Sequence, residues 1–130
     1  MTREQLEHVL RAAGAVVGDP EILVIGSQSV LGSIPDNQLP LEATTSIEAD
    51  LAFFDDPSDG KADMVDGAIG ELSAFHDTFG YYAQGVSVTT AVLPAGWRQR
   101  LVLLATPDTA PTHGLIVRIF RRIRGIGVRR

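Results

Sequence analysis

The sequence contains no cysteine, which excludes a disulfide framework, a thiolate zinc site and a cysteine nucleophile. Its histidines, His8, His76 and His113, lie far apart and show no metal-ligand spacing. No apolar run approaches the ~20 residues that a bilayer-spanning helix needs. Residues 1–14 are polar and helical in pattern rather than a basic stub followed by an apolar stretch, so a cytoplasmic protein without a transmembrane segment is expected. Basic residues are scarce over most of the chain. Residues 1–114 hold 16 acids and 5 bases, a net charge of −11. Acids, in turn, are missing after Asp108, and residues 115–130 carry a net +6 from Arg118, Arg121, Arg122, Arg124, Arg129 and Arg130. An acidic body repels backbone phosphates and makes a poor general nucleic-acid binder, unless a divalent metal offsets the charge locally.

What is present is ordinary globular composition, 45% apolar and 21% charged, in a chain of 130 residues, so one folded domain with a real core is the expectation. Thr2 and Gln5 have the spacing of a capping box. Leu6, Val9, Leu10 and Ala13 then mark one face of a helix, with Gly14 as its expected stop. After a turn at Gly18-Asp19-Pro20, residues 21–25 (Glu-Ile-Leu-Val-Ile) read as a buried strand. The strand runs into Gly26-Ser27, and a short helix is expected from Gln28 to Leu31. Residues 32–46 look like a long loop. From Ile47 to Phe54 the apolar Ile47, Ala49, Leu51 and Phe53 alternate with Glu48, Asp50 and Ala52, the pattern of a second strand. Asp55–Gly60 reads as a turn, Ala62, Val65, Ala68, Ile69 and Leu72 as a second amphipathic helix, and Phe75–Gly80 as irregular or a turn of helix. Strands are expected at Gly85–Val92 and Leu101–Ala105, joined as a hairpin through Pro94-Ala95-Gly96. The expected fold class is α/β (α+β): a mixed sheet with helices packed on it.

The chemistry concentrates at Glu48-Ala49-Asp50. Residues two apart on a strand project to one face, and two carboxylates there repel each other. A divalent cation removes that cost, and hard oxygen ligands suit magnesium or manganese held together with substrate phosphates. Upstream, Gly26 allows backbone to approach a phosphate closely, and Ser27 before a helix offers donors to an anion. A phosphate cradle beside a carboxylate pair is the arrangement that binds a metal–nucleotide. Either half alone is common: Gly-Ser follows many strands, and a Glu-x-Asp pair is more often a solvated face.

Several other residues have two readings. His76-Asp77 is a catalytic pair if His76 faces the acids, and otherwise a locally hydrogen-bonded histidine. Arg98 and Arg100 are either triphosphate-steering or plain surface bases, and Trp97 either a base-stacking ring or a sheet-edge anchor. Asp55, Asp56 and Asp59 are turn residues. In residues 115–130, Ile116, Ile119, Phe120 and Ile123 form the seam of a basic amphipathic helix. Such a tail either docks on the acidic body, binds an acidic partner, RNA or anionic lipid, or marks an altered C-terminal region.

Four stretches carry a resemblance. They are residues 24–32 (VIGSQSVLG), residues 46–51 (SIEADL), residues 75–86 (FHDTFGYYAQGV), and residues 93–97 (LPAGW) with Arg100-Leu101. Over roughly residues 2–114 the chain resembles the nucleotidyltransferase superfamily, and more closely a bacterial family of nucleotidyltransferase-like proteins akin to AbiEii-type toxins of toxin–antitoxin systems. The resemblance implies a nucleotidyltransferase-like domain over 1–114, followed by the basic tail over 115–130. It implies that Gly26, Ser27 and Gln28 hold the phosphates of a nucleoside triphosphate and that Glu48 and Asp50 hold Mg2+ and serve catalysis. The implied reaction transfers a nucleoside monophosphate to an RNA or protein hydroxyl, and the implied partner is a cognate antitoxin. The chain departs from the family pattern at three points. Position 48 is glutamate where the superfamily has aspartate. No acid lies on the strands expected at 85–92 and 101–105. The Asp-Leu-x-x-x-Lys helix of related families is missing. The alternative reading is therefore a catalytically degenerate nucleotide-binding or protein-interaction module.

Overall fold

The computed structural model describes residues 1–26, 28, 36–38, 41–88, 96–104 and 117–120. Within them the order is α1 (Arg3–Val17), β1 (Ile22–Ile25), a single 3₁₀ turn at Asp36–Gln38, α2 (Leu41–Thr45), β2 (Glu48–Phe53), α3 (Gly60–Ile69), α4 (Ala74–Phe79), β3 (Tyr82–Gly85), a 3₁₀ turn at Trp97–Arg100, β4 (Leu101–Leu104) and β5 (Val117–Phe120). The strands form one mixed sheet in the order β3-β2-β1-β5-β4. β1 is antiparallel to β2 and parallel to β5, β2 is parallel to β3, and β4 is antiparallel to β5. The expected α+β class, a mixed sheet with helices packed on it, is what the chain forms.

α1 begins as its capping box dictates: Thr2 Oγ1 accepts from Gln5 N–H at 3.1 Å, and Gln5 Oε1 accepts from Thr2 N–H at 2.9 Å. Leu6, Val9, Leu10 and Ala13 are fully buried on one face. The helix does not stop at Gly14 but continues to Val17 and is capped by Gly18, whose N–H donates to the Gly14 carbonyl at 2.8 Å. Val16 and Val17 pack against the core, and that contact outweighs the weak helix propensity of Gly14. Asp19 Oδ1 then accepts from Glu21 N–H at 2.9 Å, closing the turn into β1.

The alternation in β2 holds for its buried row from Ala49 on, whereas Ile47, expected in the same row, lies before the strand and is 48% exposed, and Ala52 of the other row is buried. Ala49, Leu51 and Phe53 join Ile22 and Val24 of β1, Ala83 of β3 and the apolar face of α1, Val65 and Ile69 of α3 in the main core. Leu23 and Ile25 of β1 and Ala52 of β2 lie on the opposite face, with Phe54, Val86 and Val88 against them. Glu48 and Asp50 share that second face. The N-terminal ammonium of Met1 donates to the carbonyls of Thr44 and Ser46 and ties the start of α1 to the chain entering β2. α3 starts under Asp56, whose two carboxylate oxygens accept from Lys61 N–H at 2.9 Å and Ala62 N–H at 3.0 Å. Lys61 Nζ reaches back to Asp19 at 2.7 Å.

Five expectations need correction. Residues 32–46 are not loop throughout, since α2 occupies Leu41–Thr45. Leu72 is not a member of the second amphipathic helix, because α3 ends at Ile69 and Leu72 is 90% exposed. The third strand begins at Tyr82, three residues before the expected Gly85, and runs Tyr82–Gly85 in register with Glu48–Leu51 of β2, while residues 89–92 of the expected strand lie outside the described residues. Among the described residues β4 is hydrogen-bonded to β5 and β3 lies at the edge beside β2, so these two strands do not pair with each other; residues 89–95 of the expected hairpin lie outside the described residues. Finally, Val117–Phe120 is a strand, not part of a helix. It is inserted between β1 and β4, with Val117 in register with Ile22 and Ile119 with Val24. The apolar spacing there suits either period, and the open backbone edges of β1 and β4 decide it. The short helix expected over Gln28–Leu31, Pro94-Ala95 and His113 lie outside the described residues apart from Gln28. Among the described residues no helix is long and apolar enough to cross a membrane.

Candidate metal–nucleotide site

β1 and β2 bring the turn at Gly26 and the carboxylate of Asp50 together. Ile25 pairs with Asp50 across the antiparallel ladder, so Gly26 begins where Asp50 projects. Gly26 has φ +87°, the left-handed region, and is buried. A Cβ placed on it would stand 3.5 Å from Asp50 Oδ2. Glu48, two residues back along the strand, projects to the same face about 6–7 Å away along the backbone. Of the residues expected to touch phosphates, Gly26 therefore adjoins the acids. Gln28 is buried, at 1% exposure, and Ser27 lies outside the described residues.

One residue at this site escapes the sequence reading. Tyr82 of β3 pairs with Glu48 across the parallel ladder, and its hydroxyl donates to Glu48 Oε1 at 2.9 Å. Burial and then the Glu48 hydrogen bond push the Tyr82 phenol up to about 12, with the charges of Glu48, Glu71 and Asp50 acting in the same direction. The field at this end of the sheet is thus negative, with acids from β2 and from the α3–α4 connection. Gln84, in register with Asp50, completes the row on β3. A strand start read three residues earlier would have put Tyr82 and Gln84 on the same face as the acids.

His76 hydrogen-bonds within its own segment and not to the carboxylates themselves. Its Nδ1 accepts from Leu72 N–H at 3.0 Å, so the locally hydrogen-bonded reading is the one realised. The ring nonetheless lies against Tyr82, with centroids 4.6 Å apart. Arg98 sits with its guanidinium 5.6 Å from the centre of the Phe54 ring, at the far end of β2 from Glu48. Asp56 is spent capping α3. Of the side chains of Trp97 and Arg100 nothing is described.

The carboxylates on this face are those of Asp50 and Glu48, hard oxygen ligands of the kind that suit magnesium or manganese shared with phosphate oxygens. Gly26 leaves open the space beside Asp50 Oδ2 that any side chain would fill. The residues present therefore fit such an ion. Among the described residues no group of three or more histidines and acids is arranged to hold a metal by itself, so phosphate or water would have to complete the coordination. Comparison of the chain with protein-family models, with curated proteins and with solved structures gave no match.

Proposed function

We propose that this chain is a nucleotidyltransferase-like domain that binds a nucleoside triphosphate with a divalent cation at the Gly26–Asp50 junction. The observation that carries the reading is the approach of Gly26 to the Asp50 carboxylate, with Glu48 on the same face. Glu48 and Asp50 would hold Mg2+, and the Gly26 turn would lie against the phosphates. Magnesium, when bound, neutralises phosphate charge and orients the attacking oxygen. In the catalytic form of this reading an RNA or protein hydroxyl oxygen would bond to the α-phosphorus as the bond from that phosphorus to the β-phosphate oxygen breaks, the hydroxyl proton passing to solvent water and pyrophosphate departing. Tyr82 keeps its proton and holds Glu48 in one orientation. The resemblance of residues 24–32, 46–51 and 75–86 to the nucleotidyltransferase-like toxin relatives supports the same reading.

A second reading is favoured by one observation. Among the described residues no third carboxylate or histidine joins the pair. That suits a catalytically degenerate nucleotide-binding module, acting as one component of a toxin–antitoxin pair. Calorimetry with each nucleoside triphosphate and Mg2+ tests both. Binding that is lost in Glu48→Ala and Asp50→Ala supports the site. Transfer of labelled nucleotide supports the enzyme, and binding without transfer supports the degenerate module. Absence of any Mg2+-dependent binding sinks both.

A further inference from the structure

We infer that His76 is a positioning residue for Glu48, acting through the ring of Tyr82; this rests on the reading that Glu48 holds a divalent cation. α4 has two sides. Phe75 packs against the main core, and Phe75 and Phe79 lie against His8 and Tyr81. His76, one residue on from Phe75, turns away from that cluster and meets Tyr82 on the face that carries the acids, with ring centroids 4.6 Å apart at 45°. The far end of the same tyrosine donates to Glu48 Oε1 at 2.9 Å. A ring held at one end by His76 has little freedom to swing its hydroxyl away from the carboxylate.

The histidine is itself held through its backbone and through one ring nitrogen. Its N–H donates to Ser73 Oγ at 3.1 Å and its carbonyl accepts from Gly80 N–H at 2.9 Å. Its Nδ1 accepts from Leu72 N–H at 3.0 Å, which fixes both the ring plane and the tautomer with hydrogen on Nε2. Leu72 reaches that position with φ +68°, a conformation leucine rarely adopts, and its side chain is 90% exposed. The strain is not offset by burying the leucine; what it achieves is to aim the amide at His76. A side chain serving only to fill the core would not need its ring oriented in this way.

The test is a double-mutant cycle on manganese(II) binding, read by electron spin resonance on the full chain, with the Tyr82 ¹³Cζ shift as a second readout. His76→Ala is expected to weaken Mn2+ binding by about tenfold, the low end of what groups supporting a metal ligand contribute. It is also expected to move the Tyr82 signal toward that of Tyr82 in a Glu48→Gln chain. His76→Phe, which keeps a ring against Tyr82, should restore most of both, and His76→Asn, which keeps only an acceptor for Leu72 N–H, should restore less. In a Tyr82→Phe background His76→Ala should add almost nothing, because both act on one carboxylate. Additive effects, an unmoved Tyr82 signal, or unchanged Mn2+ affinity in His76→Ala overturn the proposal. Should His76→Ala fail to fold, the contrast between the phenylalanine and asparagine variants decides. Failure of the cation reading looks different: Mn2+ binding would then be indifferent to Glu48→Ala, while the Tyr82 signal still answered to His76.

Discussion

Gly26 presents its bare α-carbon to the carboxylate of Asp50, so that a methyl group there would come within 3.5 Å of Asp50 Oδ2 while sitting on a backbone with φ +87°. Two costs follow for Gly26→Ala. The left-handed conformation costs an L-residue roughly 1–2 kcal/mol, and the methyl occupies the space in which a cation or phosphate oxygen would meet Asp50. The variant should unfold at correspondingly lower denaturant concentration and bind Mg2+–nucleotide more weakly than that loss of stability alone implies. Chemical denaturation and calorimetry on the same preparation separate the two effects.

Tyr82→Phe removes one hydroxyl and leaves the ring. Glu48 Oε1 then loses its donor, although the partly exposed carboxylate recovers a water, so a stability loss of about 1 kcal/mol is expected. Divalent-cation affinity should fall by at least the roughly tenfold loss expected of His76→Ala but by less than in Glu48→Ala, because the ligand survives but is no longer held. The variant also simplifies the alkaline titration. Tyrosinate absorbance in the parent chain should include a step near pH 12 that Tyr82→Phe lacks. Retention of that step in the variant would assign it elsewhere.

The parts of this site legible in the sequence are those whose signals are local. Residues 22–25 are apolar and mostly β-branched, and residues 48–51 alternate polar with apolar, so β1, β2 and the shared face of Glu48 and Asp50 follow from period. The parts that were not legible depend on pairing between distant segments. Tyr82–Gly85 holds one tyrosine, an alanine and a glutamine and ends in glycine, a weaker strand signal than the β-branched sequence after it, yet β2 pairs with this earlier register. Val117–Phe120 fits a helical seam as well as a strand until the vacant edges of β1 and β4 are considered. The link from Leu72 through His76 and Tyr82 to Glu48 has no sequence signature, since it rests on one left-handed leucine that no propensity predicts.

Acid should loosen the other side of α4. His8 shares a 2.6 Å hydrogen bond between its Nδ1 and Tyr81 Oη and lies against the rings of Phe75 and Phe79. Burial, reinforced by the charge of Arg11, lowers its pKa below the ordinary 6.5. The unfolded chain therefore takes up this proton more readily than the folded one. The contribution of the neutral ring is complete above pH 6.5. It declines as pH falls below that value and levels off once the lowered folded-state value is passed. Thermal midpoints between pH 7.5 and 5 should fall more in the parent chain than in His8→Phe, which keeps a ring in the cluster and has nothing to protonate. Equal slopes would show that another group governs this window.

Two glycines associated with α3 should respond in opposite directions to the same substitution. Gly85 ends β3 directly under the helix, where an added Cβ would lie 2.1 Å from the Ala62 carbonyl oxygen and 2.6 Å from its carbon. Both neighbours are backbone, so relief requires moving α3 or β3, and the Gly85 N–H bond to Asp66 Oδ1 at 2.7 Å holds them together. Gly85→Ala is expected to cost about 3 kcal/mol, at the upper end for overpacked sites, and to disturb the placement of Tyr82 at the other end of the strand. Gly67 lies within α3 on its exposed side, and a Cβ there meets nothing within 4 Å. Gly67→Ala removes freedom from the unfolded chain without a clash and should stabilise by about 0.5–1 kcal/mol. Urea denaturation of the two variants beside the parent measures both. Because α3 is the surface on which β3 rests, the Gly67→Ala chain should also bind Mg2+–nucleotide unchanged while Gly85→Ala binds it more weakly, which ties the seat of β3 to the site that Tyr82 and Glu48 share.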